Sequence, residues 1–194
     1  SRSDNPTLID LLKHAAEKNP GGLCLSMDGV KCSFSDLYQG ALKRAECFIN
    51  LGAQNGDKVG ILLPNGIEYL EIFYGAMLAG CIPVTINNRY KVAELKYVLS
   101  HGDVRFLFTS AAQETNFLNT LNEAFSDLDD TQNSQNLSDA PVLEKIYIVE
   151  NPPNSDISDT SFLSNLNKGN FNPPLIKSDD IAFIMFTSGT TANP

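Results

Sequence analysis

Short apolar runs recur along this chain at Lys58–Leu63, Cys81–Ile86, Val104–Thr109, Glu144–Val149 and Ile181–Phe186, and the first three are each followed by a stretch of helical periodicity. This alternation restricts the fold more than any other feature. A nearly continuous apolar run bounded by turn residues suits a strand covered on both faces, as in a parallel sheet. Strands alternating with helices across short connections give a doubly wound arrangement with right-handed crossovers. The expected fold is α/β: a doubly wound, mostly parallel sheet with helices on both faces, plus a small N-terminal helix and hairpin.

The connections carry their own signals. Thr7 to Lys18 reads as an amphipathic helix with Leu8, Leu11, Leu12 and Ala15 on one face, and Thr7 and Asp10 have capping-box spacing. Asp28-Gly29 between Leu23–Met27 and Val30–Phe34 marks a hairpin. Ser35 is expected to open a helix with Leu37, Ala41, Ala45, Phe48 and Ile49 inward, stopped at Gly52. Asn65 and Glu68 are placed to cap the helix that ends near Ala79, and Gly80 breaks it. Further helices are expected over Val92–Ser100 and Ala111–Phe125, with a helical turn near Phe162 and Leu166. Ser126 to Pro141 holds four Asp, no Lys or Arg and few apolar residues, so a mobile loop is expected over 126–141.

Charge narrows the function classes. The chain has 14 basic and 23 acidic side chains, a net charge of −9, with 11 basic and 13 acidic before residue 126 and 3 and 10 from there on. Binding nucleic acid through phosphates needs a cationic face, so no nucleic-acid partner is expected. Cys24, Cys32, Cys47 and Cys81 form no CxxC pair and only His14 and His101 could join them, so buried free thiols are expected and no metal site. No charged and apolar leader opens the chain, and the uncharged stretch Ile72 to Ile86 is too short to span a bilayer. A cytoplasmic location is expected. The opening Ser-Arg-Ser without Met, and the stop at Pro194 inside a turn-like sequence, suggest a fragment.

Most of the chemistry is at the end of the chain. Thr187, Ser188, Gly189, Thr190 and Thr191 follow the apolar run Ile181–Phe186 directly. Open α/β sheets place ligands at the carboxyl ends of their strands. Hydroxyls and exposed backbone N–H groups are the donors a phosphate needs, and a glycine lets the backbone approach closely. Composition alone admits a second reading, a Ser/Thr-rich turn after a strand. Neither GxxxxGK, GxGxxG nor GxSxG is present. Arg89, in a loop after a strand, is a candidate for a ligand or domain contact. His101 before Gly102 suits a helix C-terminus, where a cation complements the dipole. Asp127 to Thr131 lacks the Gly and final Glu of a calcium loop.

In order and context, Phe186-Thr187-Ser188-Gly189-Thr190-Thr191 resembles the phosphate-binding signature of the adenylate-forming (AMP-binding) family, which includes acyl- and aryl-CoA ligases, luciferases and peptide-synthetase adenylation domains. That signature typically reads Tyr-Thr-Ser-Gly-Thr-Thr-Gly-x-Pro-Lys-Gly. Ser33-Phe34-Ser35-Asp36-Leu37 is similar to the family's Thr-Tyr-x-Glu-Leu helix entry. Gly56-Asp57-Lys58-Val59 with Leu62-Leu63-Pro64-Asn65 is similar to its Gly-Asp-x-Val and Leu-Pro-Asn segment. Ala79-Gly80-Cys81-Ile82-Pro83-Val84 is similar to its Ala-Gly-x-x-x-Pro motif, and Asn88-Arg89 stands closer to CoA ligases than to peptide-synthetase domains. The resemblance spans about residues 7–110 and 179–194. Ala192 departs from it, standing where the family usually has Gly.

The resemblance implies that residues 1–194 are part of the N-terminal domain of an adenylate-forming enzyme. The parent would use ATP and Mg²⁺ to convert a carboxylic acid, fatty or aryl, to an acyl-adenylate and pass the acyl group to coenzyme A. Thr187, Ser188, Gly189, Thr190 and Thr191 would hold the β- and γ-phosphates, with Mg²⁺ bound elsewhere. This chain alone would be inactive. An adenylation domain loading a carrier protein and a non-catalytic α/β interaction domain are the alternatives, and a lysine soon after Pro194 would favour an enzyme.

Overall fold

The computed structural model describes residues 5–111, 117–128, 137–149, 160–167, 169 and 171–186. Helix α1 (Leu8–Lys18) starts at a capping box: Thr7 Oγ1 accepts from the Asp10 N–H at 3.1 Å, and the Thr7 N–H donates to Asp10 Oδ2 at 2.9 Å. Its buried face is Ile9, Leu12 and Ala16, while Leu11 is 54% exposed. Both this stripe and the expected one have helical spacing. The face chosen is the one that meets the next helices.

Strands β1 (Leu23–Met27) and β2 (Val30–Ser33) form the expected antiparallel hairpin. Asp28 and Gly29 both have positive φ, 51° and 80°, which a two-residue turn of right-handed twist requires. Helix α2 (Phe34–Asn50) begins two residues earlier than expected. Ser33, not Ser35, is the cap, because Asp36 stands three residues beyond it and closes a capping box: the Asp36 N–H donates to Ser33 Oγ at 3.1 Å and the Ser33 N–H to Asp36 Oδ2 at 3.2 Å.

Five parallel strands follow: β3 (Lys58–Leu62), β4 (Ile82–Thr85), β5 (Val104–Thr109), β6 (Lys145–Ile148) and β7 (Ile184–Met185), in the spatial order β6-β5-β3-β4-β7. Helix α3 (Ile67–Leu78) joins β3 to β4, and α4 (Val92–His101) carries the chain back across the sheet to β5. The described parts of the next connection are α5 (Leu118–Ala124), before β6, and the single turn α6 (Thr160–Leu163), before β7. Gly66, with extended backbone, precedes α3 without any side-chain cap, so Asn65 does not cap this helix. At the other end, Gly80 sits at φ 80° and turns the chain out of α3, as its lack of a side chain permits.

The sheet buries both faces. Val59 and Ile61 of β3, Phe106 and Phe108 of β5, and Tyr147 of β6 pack against α2, α3 and Phe162. Phe162 is fully buried, 4.8 Å from Phe48 and 4.9 Å from Phe108 between ring centres. On the opposite face Leu62, Val84, Val104, Leu107 and Ile146 pack against α4 and α5. Gly60 makes room there, since a Cβ at that position would lie 2.9 Å from Val104 Cγ1. A register shift at Arg105 puts Val104 and Leu107 on one face. The Arg105 guanidinium ties the amino end of the sheet together, binding Asp57 and, at 2.9 Å, Glu144.

One further expectation needs correction. Among the described residues only Ile184–Met185 of the run Ile181–Phe186 forms strand, β7, and in this chain Ile181 is 63% and Met185 62% exposed. Its neighbour β4 carries Pro83, which has no N–H to give, and the β4–β7 ladder starts one residue later at Val84. The segment 126–141, expected to be a mobile loop, is described only at its two ends. Leu137 and Ala140 are buried, and the Ser138 N–H donates to Asp127 Oδ2 at 3.0 Å. Residues 129–136 lie outside the described residues, as do residues 112–116 of the helix expected over Ala111–Phe125, of which Leu118–Ala124 is helical.

Candidate functional site: the carboxyl edge of the sheet

Because all five strands are parallel, their carboxyl ends share one edge. At its middle, β3 and β5 are neighbours whose following connections run to opposite sides of the sheet, which is the topological switch point of such folds. Thr109 and Ser110 close β5 there, both buried, and Thr109 Oγ1 has no hydrogen-bond partner among the described residues. The Ser110 carbonyl accepts from the Phe117 N–H at 3.0 Å.

The candidate phosphate-binding residues Thr187, Ser188, Gly189, Thr190 and Thr191 lie outside the described residues. The approach to them is described as far as Phe186. Val84 pairs with Ile184 and Thr85 with Met185, and the Thr85 hydroxyl lies 3.4 Å from the Ile184 carbonyl oxygen. Beyond this short ladder, the Tyr90 hydroxyl donates to the Phe186 carbonyl at 2.9 Å. Tyr90 stands in the turn between β4 and α4. There the Tyr90 N–H donates to the Asn87 carbonyl and the Arg89 N–H to Asn87 Oδ1, both at 3.0 Å. The Phe186 ring is edge-on to Tyr97 of α4, with centres 6.4 Å apart.

Local sequence pattern did not single out Tyr90. The loop carrying Arg89 was visible, but a partner 96 residues away from Tyr90 was not. Arg89 is exposed beside that turn. His101 occupies the last turn of α4, as its helix-end reading requires; its ring stacks on Tyr97 at 4.4 Å, and Nδ1 lies 3.0 Å from the Tyr97 carbonyl oxygen. Asp180 serves its own turn at the amino end of β7, accepting from the Lys177 N–H at 2.8 Å.

Cys81 stands at the amino end of β4, away from this edge. Burial pushes the Cys81 thiol up to about 12, so it stays protonated at neutral pH and is a poor nucleophile. Cys32 and Cys47 are buried as well, and all four cysteines are free. Among the described residues, no three His, Cys, Asp or Glu side chains come together in a way that could hold a metal ion. A cavity of about 200 Å³, lined by Thr7, Ile9, Asn55, Cys81, Lys177 and Ile181 among others, opens at the amino ends of the strands, opposite the edge that leads to Thr187. No helix among the described residues is long and apolar enough to cross a membrane.

An open parallel sheet with helices on both faces defines a doubly wound α/β domain, a class that places ligands at the carboxyl ends of its strands. Within that class the chain belongs to the AMP-binding enzyme family, whose pattern matches residues 12–194. It is 30% identical over 175 residues to the acyl-CoA ligase sidI of Aspergillus fumigatus, covering 86% of this chain and 28% of that protein. It is 28% identical over 194 residues to a medium/long-chain-fatty-acid and 3-oxocholest-4-en-26-oate CoA ligase of Mycolicibacterium smegmatis, covering 96% and 32%. The chain thus spans less than a third of the length of these relatives. Among solved structures, the anthranilate CoA ligase AuaEII, in complex with anthranoyl-AMP, shares the fold with a TM-score of 0.75 at 22% identity, covering 96% of this chain and 33% of that one.

Proposed function

We propose that the protein carrying this chain is an ATP-dependent, AMP-forming acyl-CoA ligase. The observation that carries this reading is the family match across residues 12–194, joined to relatives named as CoA ligases for fatty and other acids. In the first half-reaction a carboxylate oxygen of the acid attacks the α-phosphorus of ATP. The bond from that phosphorus to the α,β-bridging oxygen breaks, and pyrophosphate leaves with the electron pair. In the second, the thiolate of coenzyme A attacks the acyl carbon and AMP leaves. The acid is a fatty or aryl carboxylate.

Both charge movements need donors aimed at phosphate oxygens. Thr187, Ser188, Thr190 and Thr191 supply hydroxyls, Gly189 supplies a backbone N–H without steric bulk, and together they hold the β- and γ-phosphates in this reading. A divalent cation such as Mg²⁺ would neutralise charge on the leaving pyrophosphate, and its ligands are assigned to residues outside those described. Taken alone, residues 1–194 bind Mg-ATP only at millimolar concentration or weaker in this reading. A few hydrogen bonds to phosphate, about 1.5–3 kcal/mol each, offset little more than the cost of immobilising the ligand, about 4–15 kcal/mol.

The test is product identity. The complete protein, incubated with ATP, Mg²⁺, coenzyme A and a panel of fatty and aryl acids, is expected to yield an acyl-CoA, AMP and pyrophosphate in equal amounts by mass spectrometry. Formation of ADP and phosphate, or acyl transfer only to a carrier protein, would contradict the reading.

A further inference from the structure

We infer that Tyr90 is a positioning residue for the phosphate-binding segment: its hydroxyl fixes the peptide unit through which the chain enters Thr187. The inference rests on the function proposed above for residues 187–191. Phe186 lies beyond the two-residue ladder between β4 and β7, and among the described residues its carbonyl has no strand partner in the register. The Tyr90 hydroxyl takes that place at 2.9 Å. A peptide unit is planar, so holding its oxygen restricts the whole unit, including the bond into the next residue.

Tyr90 is itself held. The Tyr90 N–H donates to the Asn87 carbonyl at 3.0 Å, the preceding Arg89 N–H donates to Asn87 Oδ1 at 3.0 Å, and the Tyr90 ring packs against the apolar cluster under α4. The Phe186 side chain is secured separately, edge-on to Tyr97. Hydroxyl and ring thus restrain the two sides of one residue from one helix and its entry turn. A phosphate cradle needs its donors held to within about half an ångström, and a ladder of two residue pairs with β4 does not provide that alone. Tyr90 touches no reacting atom, so its role is positioning and not catalysis.

Tyr90→Phe removes the hydroxyl and keeps the ring, and the protein is expected to fold normally. Losing one hydrogen bond of this kind corresponds to about a 3- to 10-fold effect. In the complete protein, hydrogen exchange of the peptide carrying residues 183–187 is expected to quicken by that factor, with β3 and β5 unchanged. The KM for ATP is expected to rise by a similar factor, while the KM values for the acid and for coenzyme A stay put. Tyr90→Leu, which also loses ring packing, separates the hydroxyl from general destabilisation: it is expected to lower the melting temperature, which Tyr90→Phe leaves nearly unchanged. Unchanged exchange at residues 183–187 in Tyr90→Phe overturns the inference, whatever the kinetics. So does faster exchange with an unaltered KM for ATP in an active enzyme. If the unsubstituted protein shows no carboxylate-dependent ATP chemistry, the functional reading falls and the assigned role with it. Faster exchange would then still identify the tie itself.

Discussion

Replacing Gly75 by alanine tests the packing that supports the sheet from one side. Gly75 lies in α3 at its crossing with α2, where a Cβ would stand 2.5 Å from Arg44 Cβ, 3.0 Å from the Ala41 carbonyl oxygen and 3.3 Å from the Ala45 nitrogen. None of these atoms is the free end of a flexible side chain. The helices must separate, and the contact they would loosen includes Ala41, Ala45, Ile72 and Ala76, all fully buried. Overpacking of a core costs about 1–3 kcal/mol, and a clash with backbone belongs at the upper end. Alanine returns about 1 kcal/mol as the better helix former. The net expectation is a loss of about 2 kcal/mol, with the effect of packing exceeding that of propensity. In urea unfolding the midpoint should fall while the slope stays constant, and the melting temperature should drop by about 4–8 °C. A Gly75→Ala protein as stable as the parent, or more so, would refute the reasoning, because propensity would then have outweighed packing.

Three other outcomes follow from the same structure. Phe162→Ala removes the fully buried ring that α6 inserts between Phe48, Phe108 and Tyr147, and should cost about 3–5 kcal/mol by the same unfolding assay. Thr7→Ala deletes the cap of α1 and should cost about 1 kcal/mol, read as a lower melting temperature. Hydrogen bonds from Thr7 hold the Asp10 carboxyl below its ordinary value of 3.8, and those from Ser33 do the same for Asp36. Folded values below unfolded ones stabilise the fold above the ordinary carboxylate range, and that contribution is lost as pH falls through the folded values. Asp10→Asn combined with Asp36→Asn should therefore flatten the acid limb of the stability profile, leaving an unchanged limb as the refuting result.

The parts of the fold that were legible in the sequence are those whose causes are local. The apolar runs of β3, β4 and β5, the Asp28-Gly29 turn and the break at Gly80 depend on neighbours in sequence, and each lies where the pattern placed it. Where two local solutions compete, the pattern does not choose. Leu8, Leu11, Leu12 and Ala15 are as well spaced for a helix face as Ile9, Leu12 and Ala16, and only contact with the rest of the molecule selects the second. Ser33 and Ser35 are equally good caps until Asp36 decides between them. The shortness of β7 was illegible for a different reason: an apolar run reports that burial is possible, not how many of its residues will pair. Leu137, isolated among polar residues, gave no sign that it is fully buried.

The candidate site divides in the same way. Its hydroxyl-rich residues stood out because they follow an apolar strand, whereas the tie from Tyr90 to Phe186 joins positions 96 residues apart. No periodicity links them. The switch point between β3 and β5 likewise depends on strand order, which sequence alternation leaves open.

The central claim is that residues 187–191 hold phosphate during formation of an acyl-adenylate, and exchange of labelled pyrophosphate into ATP by the complete protein measures that step alone. The exchange is expected to require a carboxylic acid and to proceed without coenzyme A. Removing one phosphate-directed hydroxyl, in Ser188→Ala or Thr190→Ala, should lower it about 10- to 100-fold, the value of a hydrogen bond to a charged group, with the melting temperature unchanged. Exchange that ignores the acid, or that survives both substitutions at the parent rate, would contradict the account.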